Sequence, residues 1–126
     1  ANGIYFVDAS FAGIGKLKSP INVFVENGYA VKIEGELADV LTKLLDSAGK
    51  EARNIAEFDI GTNGKAKITG NILEDEKVIG TCHIALGNNV GFGGKISVQL
   101  HLDGIVKNPT IFVDKNKILD KGKFLF

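Results

Sequence analysis

The sequence has no methionine and no tryptophan, one cysteine, two prolines and no net charge, with 15 basic and 15 acidic side chains. A single cysteine, Cys82, excludes an internal disulfide framework. A balanced charge argues against a nucleic-acid or membrane-surface binder, which would carry a basic face. No apolar run approaches the roughly 18 residues that a membrane-spanning helix needs, and no signal peptide opens the chain. The expected compartment is the cytoplasm. The absence of methionine, with Ala1-Asn2-Gly3 leading straight into the apolar Ile4-Tyr5-Phe6-Val7, reads as a piece cut from a longer protein.

The 126 residues that are present are 44% hydrophobic and 24% charged, which suits a single folded domain spanning 1–126 and excludes a disordered chain. Sixteen glycines punctuate short apolar runs, the pattern of many short strands. Ile4–Val7 reads as a strand. Asn27-Gly28 separates Ile21–Val25 from Ala30–Ile33, and Asn-Gly between two such runs predicts a hairpin, because both turn residues tolerate positive φ. Thr110–Val113 and Lys117–Leu119 predict another, turning at Asp114–Asn116. One segment differs. Leu37, Val40, Leu41, Leu44, Leu45 and Ala48 recur at helical spacing and are followed by Gly49, which predicts a helix over about 36–48. The expected fold is α+β, mostly antiparallel, with a barrel-like sheet and one main helix.

The glycine clusters do not make a phosphate loop. Gly91-Phe92-Gly93-Gly94-Lys95 has Asn89 where the first glycine belongs and Ile96 where magnesium would need Ser or Thr. Gly13-Ile14-Gly15-Lys16 fails at Ser10 and Leu17. These segments read as turns. Cys82 beside His83 reads as a small buried hydrophobe rather than a nucleophile.

The chemistry lies elsewhere. The only two histidines are His83 and His101. Ser97–Asp103 alternates, so in a strand Gln99, His101 and Asp103 project from one face. In Ile55–Ile60, Glu57 and Asp59 share a face in the same way. His83 lies in an otherwise apolar run that follows the acidic cluster Glu74-Asp75-Glu76. Two imidazoles with nearby carboxylates are the composition of a divalent-metal site, and suit Zn, Mn, Fe or Co alike.

Three blocks carry a resemblance: Ala56-Glu57-Phe58-Asp59-Ile60-Gly61-Thr62-Asn63; Asp75-Glu76-Lys77 with Gly80-Thr81-Cys82-His83-Ile84-Ala85-Leu86-Gly87; and His101-Leu102-Asp103-Gly104. In this order they resemble the C-terminal half of the thermophilic metallo-aminopeptidases of the aminopeptidase T type, also called leucyl aminopeptidases. The resemblance implies a dinuclear divalent-metal site (Zn, Co, Mn or Mg) that activates water against the N-terminal peptide bond of a peptide substrate. It implies metal ligands at Glu57, His83, His101 and Asp103, and catalytic carboxylates at Glu57 and Glu76. Gln99 and Asp59 are the expected partners for the second nitrogens of the histidines. Two departures stand out: Val90 occupies the position of a family tyrosine, and the family's first metal-binding glutamate would precede Ala1. The chain is thus expected to hold an incomplete site and to be inactive by itself.

The missing tyrosine suggests an alternative, since some relatives in this superfamily resemble mononuclear Fe(II) dioxygenases that open dihydroxypyridine rings. His83, His101 and Asp103 would supply the facial triad. A third reading is a non-catalytic dimerisation domain, making a homodimer through Phe6, Phe11, Phe24 and the tail Phe124-Leu125-Phe126.

Overall fold

The computed structural model describes residues 1–126. In chain order its elements are β1 (Gly3–Val7), β2 (Ser10–Phe11), β3 (Gly15–Lys16), β4 (Ile21–Glu26), β5 (Tyr29–Glu34), α1 (Ala38–Ala48), β6 (Ile55–Ile60), α2 (Ile72–Asp75), β7 (Thr81–Gly87), β8 (His101–Lys107), β9 (Ile111–Val113), β10 (Asn116–Asp120) and β11 (Lys123–Phe124). Short 3-10 turns occupy Lys50–Arg53 and Val90–Phe92.

The expected α+β class is present, but the sheet does not close into a barrel. Three antiparallel sheets form instead, in the orders β1-β4-β5, β3-β2-β8-β7-β6 and β11-β10-β9. Closure fails because β2 and β3 are two residues each, too short to carry the pairing onward from β8. Their segment turns back through Gly13 and Gly15, both at positive φ.

Local chemistry explains the elements that match. Asn27 (φ 50°) and Gly28 (φ 84°) make the tight turn between β4 and β5. Asp114 (φ 55°) opens the β9–β10 turn. Gly49, at φ 92°, ends α1 and donates its N–H to the Asp46 carbonyl at 3.3 Å. Leu41 and Leu45 are fully buried from α1, whereas Val40 is 44% exposed and lies off the buried stripe. The core gathers Val7, Phe11, Ile21, Val23, Leu41, Leu45 and Leu86 between the helix and the sheets.

The expected strand over Ser97–Asp103 is corrected. Ser97–Leu100 is not strand, and β8 begins only at His101. The backbone of 96–100 is occupied by a turn: the Leu100 carbonyl accepts from Asn88 N–H at 2.9 Å, and the Val98 carbonyl accepts from Asn88 Nδ2 at 3.2 Å. Phe11 is fully buried core and offers no contact surface, while Phe6 is exposed and Phe24 half-buried. At the tail, β11 pairs with β10 and the Leu125 N–H reaches the Ile118 carbonyl at 3.1 Å, while Phe126 stays exposed. No helix is long and apolar enough to cross a membrane.

Candidate metal centre

The five-stranded sheet assembles the site by register. Glu57 on β6 lies opposite Ala85 on β7, and Ala85 lies opposite Asp103 on β8. Asp59 lies opposite His83, and Gly87 opposite His101. Directly opposed residues share a face, so Glu57, Asp59, His83, His101 and Asp103 all rise from the same side of the sheet. Between the two carboxylate positions stands only the methyl of Ala85, fully buried. The opposite side of β7 turns Leu86 into the core. A shift in register between Ile55 and Glu57 bends the edge strand at the point where Glu57 enters.

The four sequence-predicted ligands converge. Glu57 divides its carboxylate: Oε2 lies 3.1 Å from His101 Nε2, and Oε1 lies 3.6 Å from His83 Nε2. Asp103 Oδ1 lies 3.5 Å from His101 Nε2. Ligand atoms fall within 4.8 Å of one another in three sets, namely Glu57-Asp59-His83, Glu57-His101-Asp103 and Glu76-His83-Asp103. Glu76 therefore joins the site from just beyond α2, although it lies seven positions before His83, and its carboxylate also contacts Lys77 Nζ. Each set contains one imidazole, so the His83-His101-Asp103 triad is not a single compact set.

The partners of the histidines differ from expectation. His101 Nδ1 meets the backbone carbonyl of Asn88 at 2.8 Å, not Gln99, which is exposed and outside the strand. Asp59 does not serve His83, whose Nδ1 is buried without a hydrogen-bond partner; Asp59 Oδ1 instead accepts from the Ile60 N–H at 2.7 Å. A backbone carbonyl leaves no residue-type signature, which is why Asn88 was invisible to a reading of side chains.

These contacts test whether the residues suit a cation. A carbonyl oxygen only accepts, so His101 Nδ1 carries the hydrogen, and in the neutral ring Nε2 presents a lone pair. That lone pair faces two carboxylates. The arrangement is favourable only with a proton or a metal ion among these atoms. Burial pulls the His101 pKa down, but the Asn88 carbonyl and the Asp103 and Glu57 carboxylates outweigh it and hold it above its ordinary value. Burial raises Asp103 above the usual carboxylate range, against the pull of His101 and His83. Asp103 Oδ1 is itself buried with no hydrogen-bond donor. An unsatisfied imidazole nitrogen, His83 Nδ1, and an unsatisfied carboxylate oxygen, Asp103 Oδ1, beside the His101 and Glu57 donors, fit a divalent metal.

The family model described as "NicX: 2,5-dihydroxypyridine 5,6-dioxygenase" matches residues 8–126. Among solved structures, a 2,5-dihydroxypyridine dioxygenase from Pseudomonas putida KT2440 shares the fold, with a TM-score of 0.90 at 20% identity over 98% of this chain. The chain spans 40% of the length of that structure. No curated protein matches it.

These findings overturn the aminopeptidase resemblance, and with it the hydrolase, metalloprotease and leucyl aminopeptidase assignments. The physical reason lies in the blocks that carried it. They consist of metal-ligand types and strand-bounding glycines, and hydrolytic and oxygen-activating centres draw on the same imidazole and carboxylate donors. Val90, where the aminopeptidase resemblance called for a tyrosine, is an exposed position in the turn after β7.

Proposed function

The chain belongs to the NicX family of 2,5-dihydroxypyridine 5,6-dioxygenases, and on that premise we propose that it carries the metal-binding part of an Fe(II)-dependent dioxygenase that opens a hydroxylated pyridine ring. The observation that supports this reading beyond family membership is the His101 imidazole, held by Asn88 so that Nε2 faces Glu57 and Asp103. The residues that would hold the iron are Glu57, His101 and Asp103, with His83 beside them. Bound there, Fe(II) supplies the redox centre at which dioxygen and the ring react, both oxygen atoms entering the product.

The chain's own residues then have distinct tasks. The Asn88 carbonyl keeps His101 in the tautomer that leaves Nε2 free for coordination. The carboxylate of Glu57 lies between the two imidazoles, one oxygen toward each Nε2, where it would share the ion with them. Glu76, close to His83 and Asp103 and in contact with Lys77, is the carboxylate that accepts the proton released when a ring hydroxyl ionises. The small methyl of Ala85 keeps the floor of the site low.

The test is made on the full-length protein loaded with Fe(II). Oxygen uptake is followed with the loss of ring absorbance from 2,5-dihydroxypyridine, and the expected result is matched consumption of oxygen and ring. Cleavage of a leucine anilide without oxygen uptake overturns the proposal.

A further inference from the structure

The Gly91-Phe92-Gly93-Gly94 segment, which forms no phosphate loop, stands beside His101 and is a firmly built turn. The Asn89 carbonyl accepts from the N–H groups of Phe92 (3.0 Å) and Gly94 (2.9 Å), and its Oδ1 accepts from the Ile96 N–H at 3.0 Å. A Cβ at Gly94 would fall 2.1 Å from the Asn89 side chain and would displace it from the Ile96 N–H. Asn88 ties the turn to the metal centre: its Oδ1 accepts from the Val90 N–H at 2.9 Å while its carbonyl holds His101.

What this turn presents is Phe92. Its ring is stacked on the His101 imidazole, with centroids 5.5 Å apart and planes 28° apart, yet Phe92 is 63% exposed. Other large apolar side chains are exposed as well, Leu73, Phe6 and Phe112 among them, but the only aromatic pairings are Phe92 with His101 and Phe124 with Phe126, so Phe92 alone stacks on a candidate ligand. Beside it, Val98, Gln99, Leu100 and His101 complete a hollow of about 500 Å³, a size ordinary for small-molecule clefts. Three apolar side chains, one of them an exposed aromatic face, two amide side chains (Asn88 and Gln99) and the His101 imidazole, the one candidate ligand in this lining, are groups that a planar, hydroxylated ring would use.

We infer that Phe92 is the ring-positioning residue of this centre: the planar substrate lies in the hollow against the Phe92 face, its hydroxyls directed to the His101 end. The inference rests on the ring-opening reading above. Phe92 acts through the substrate's placement and holds no metal, so its removal weakens ring binding without emptying the centre.

The experiment uses the full-length protein, Fe(II) and 2,5-dihydroxypyridine, with two readouts. Ring binding is titrated spectroscopically without oxygen, and KM and kcat are measured with oxygen. Phe92→Ala and Phe92→Leu should weaken binding and raise KM about three- to ten-fold, the size of one aromatic stacking contact, with kcat and iron content little changed. Phe92→Tyr should retain both. Circular dichroism checks folding, and should Phe92→Ala fail to fold, the comparison of Leu with Tyr decides. Equal binding and KM in the unsubstituted, Leu and Tyr proteins overturns the inference and leaves the ring-opening reading standing. No oxygen uptake by the unsubstituted protein overturns that reading, and the inference with it.

Discussion

His101 donates its Nδ1 hydrogen to the backbone carbonyl of Asn88 at 2.8 Å. This one bond joins the turn after β7 to the first residue of β8. It fixes which imidazole nitrogen is left for the centre, and it brings the Phe92 ring over the same imidazole.

Removal of a ligand should empty the centre and spare the fold. Glu57→Gln, His101→Ala and Asp103→Ala in the full-length protein are expected to weaken iron binding by well over about ten-fold, since even indirect partners of metal ligands are worth that much. Thermal stability without metal should change little for Glu57 and His101, which are partly exposed. Metal content after dialysis checks this. Full occupancy in all three variants removes these residues from the ligand set.

In the metal-free protein, His101 should titrate above the ordinary imidazole value of about 6.5. Burial alone would lower it, so the rise depends on the acceptors around the ring, and Glu57→Gln should bring the midpoint down. The sign for stability follows from the raised pKa. The contribution of charged His101 is complete below the unfolded value of about 6.5 and is lost as pH rises through the folded value. Iron binding runs the other way, because protons compete for Nε2 and affinity falls as pH drops. NMR titration of the imidazole carbons reads the midpoint in each variant.

Asp75 is fully buried and its carboxylate is saturated with hydrogen bonds. It accepts from Ser10 Oγ at 2.7 Å, Thr69 N–H at 2.7 Å and Gly70 N–H at 3.0 Å, which ties α2 and the preceding loop to β2. Asp75→Ala strands these donors, and should cost at least about 2 kcal/mol in urea unfolding. A loss below about 0.5 kcal/mol, within the range of a surface substitution, would show that the carboxylate holds nothing together.

Cys82 should resist alkylation. Burial pushes its thiol up to about 11, with a smaller push from Asp8, so almost no thiolate forms at pH 8. The native protein is expected to react with iodoacetamide only as fast as it unfolds, and the denatured chain at once. Mass spectrometry of timed samples separates the two cases.

Much of the fold could be read before any tertiary structure. Asn27-Gly28 announced its hairpin because few residue pairs accept two positive φ angles in succession, and Gly49 marked the end of α1 for the same reason. The alternation in Glu57–Asp59 and His101–Asp103 placed each pair on one face, since the strand period is two. The reading failed at Ser97–Leu100, where an alternating pattern exists but the backbone is drawn into the Asn88 and Asn89 turn. It failed also at the barrel, because closure depends on strand lengths at the edges and on partners, which side-chain type does not encode. The reaction is not legible for a third reason: Glu57, His83, His101 and Asp103 are residue types able to hold a cation, and the same donors serve hydrolysis and oxygen chemistry.

By itself, then, the amino-acid sequence determined the local elements, the paired faces of β6 and β8 and the residue types able to hold a metal, because these depend on near-neighbour geometry and on side-chain chemistry alone. Only the tertiary structure decided that Glu57, Ala85 and Asp103 stand in one row across three strands, that Glu76 reaches them from beyond α2, and that a backbone carbonyl at Asn88 aims His101. Register between strands distant in sequence is set by which apolar faces must be buried together, and a backbone oxygen is the same in every residue until the fold gives it a direction.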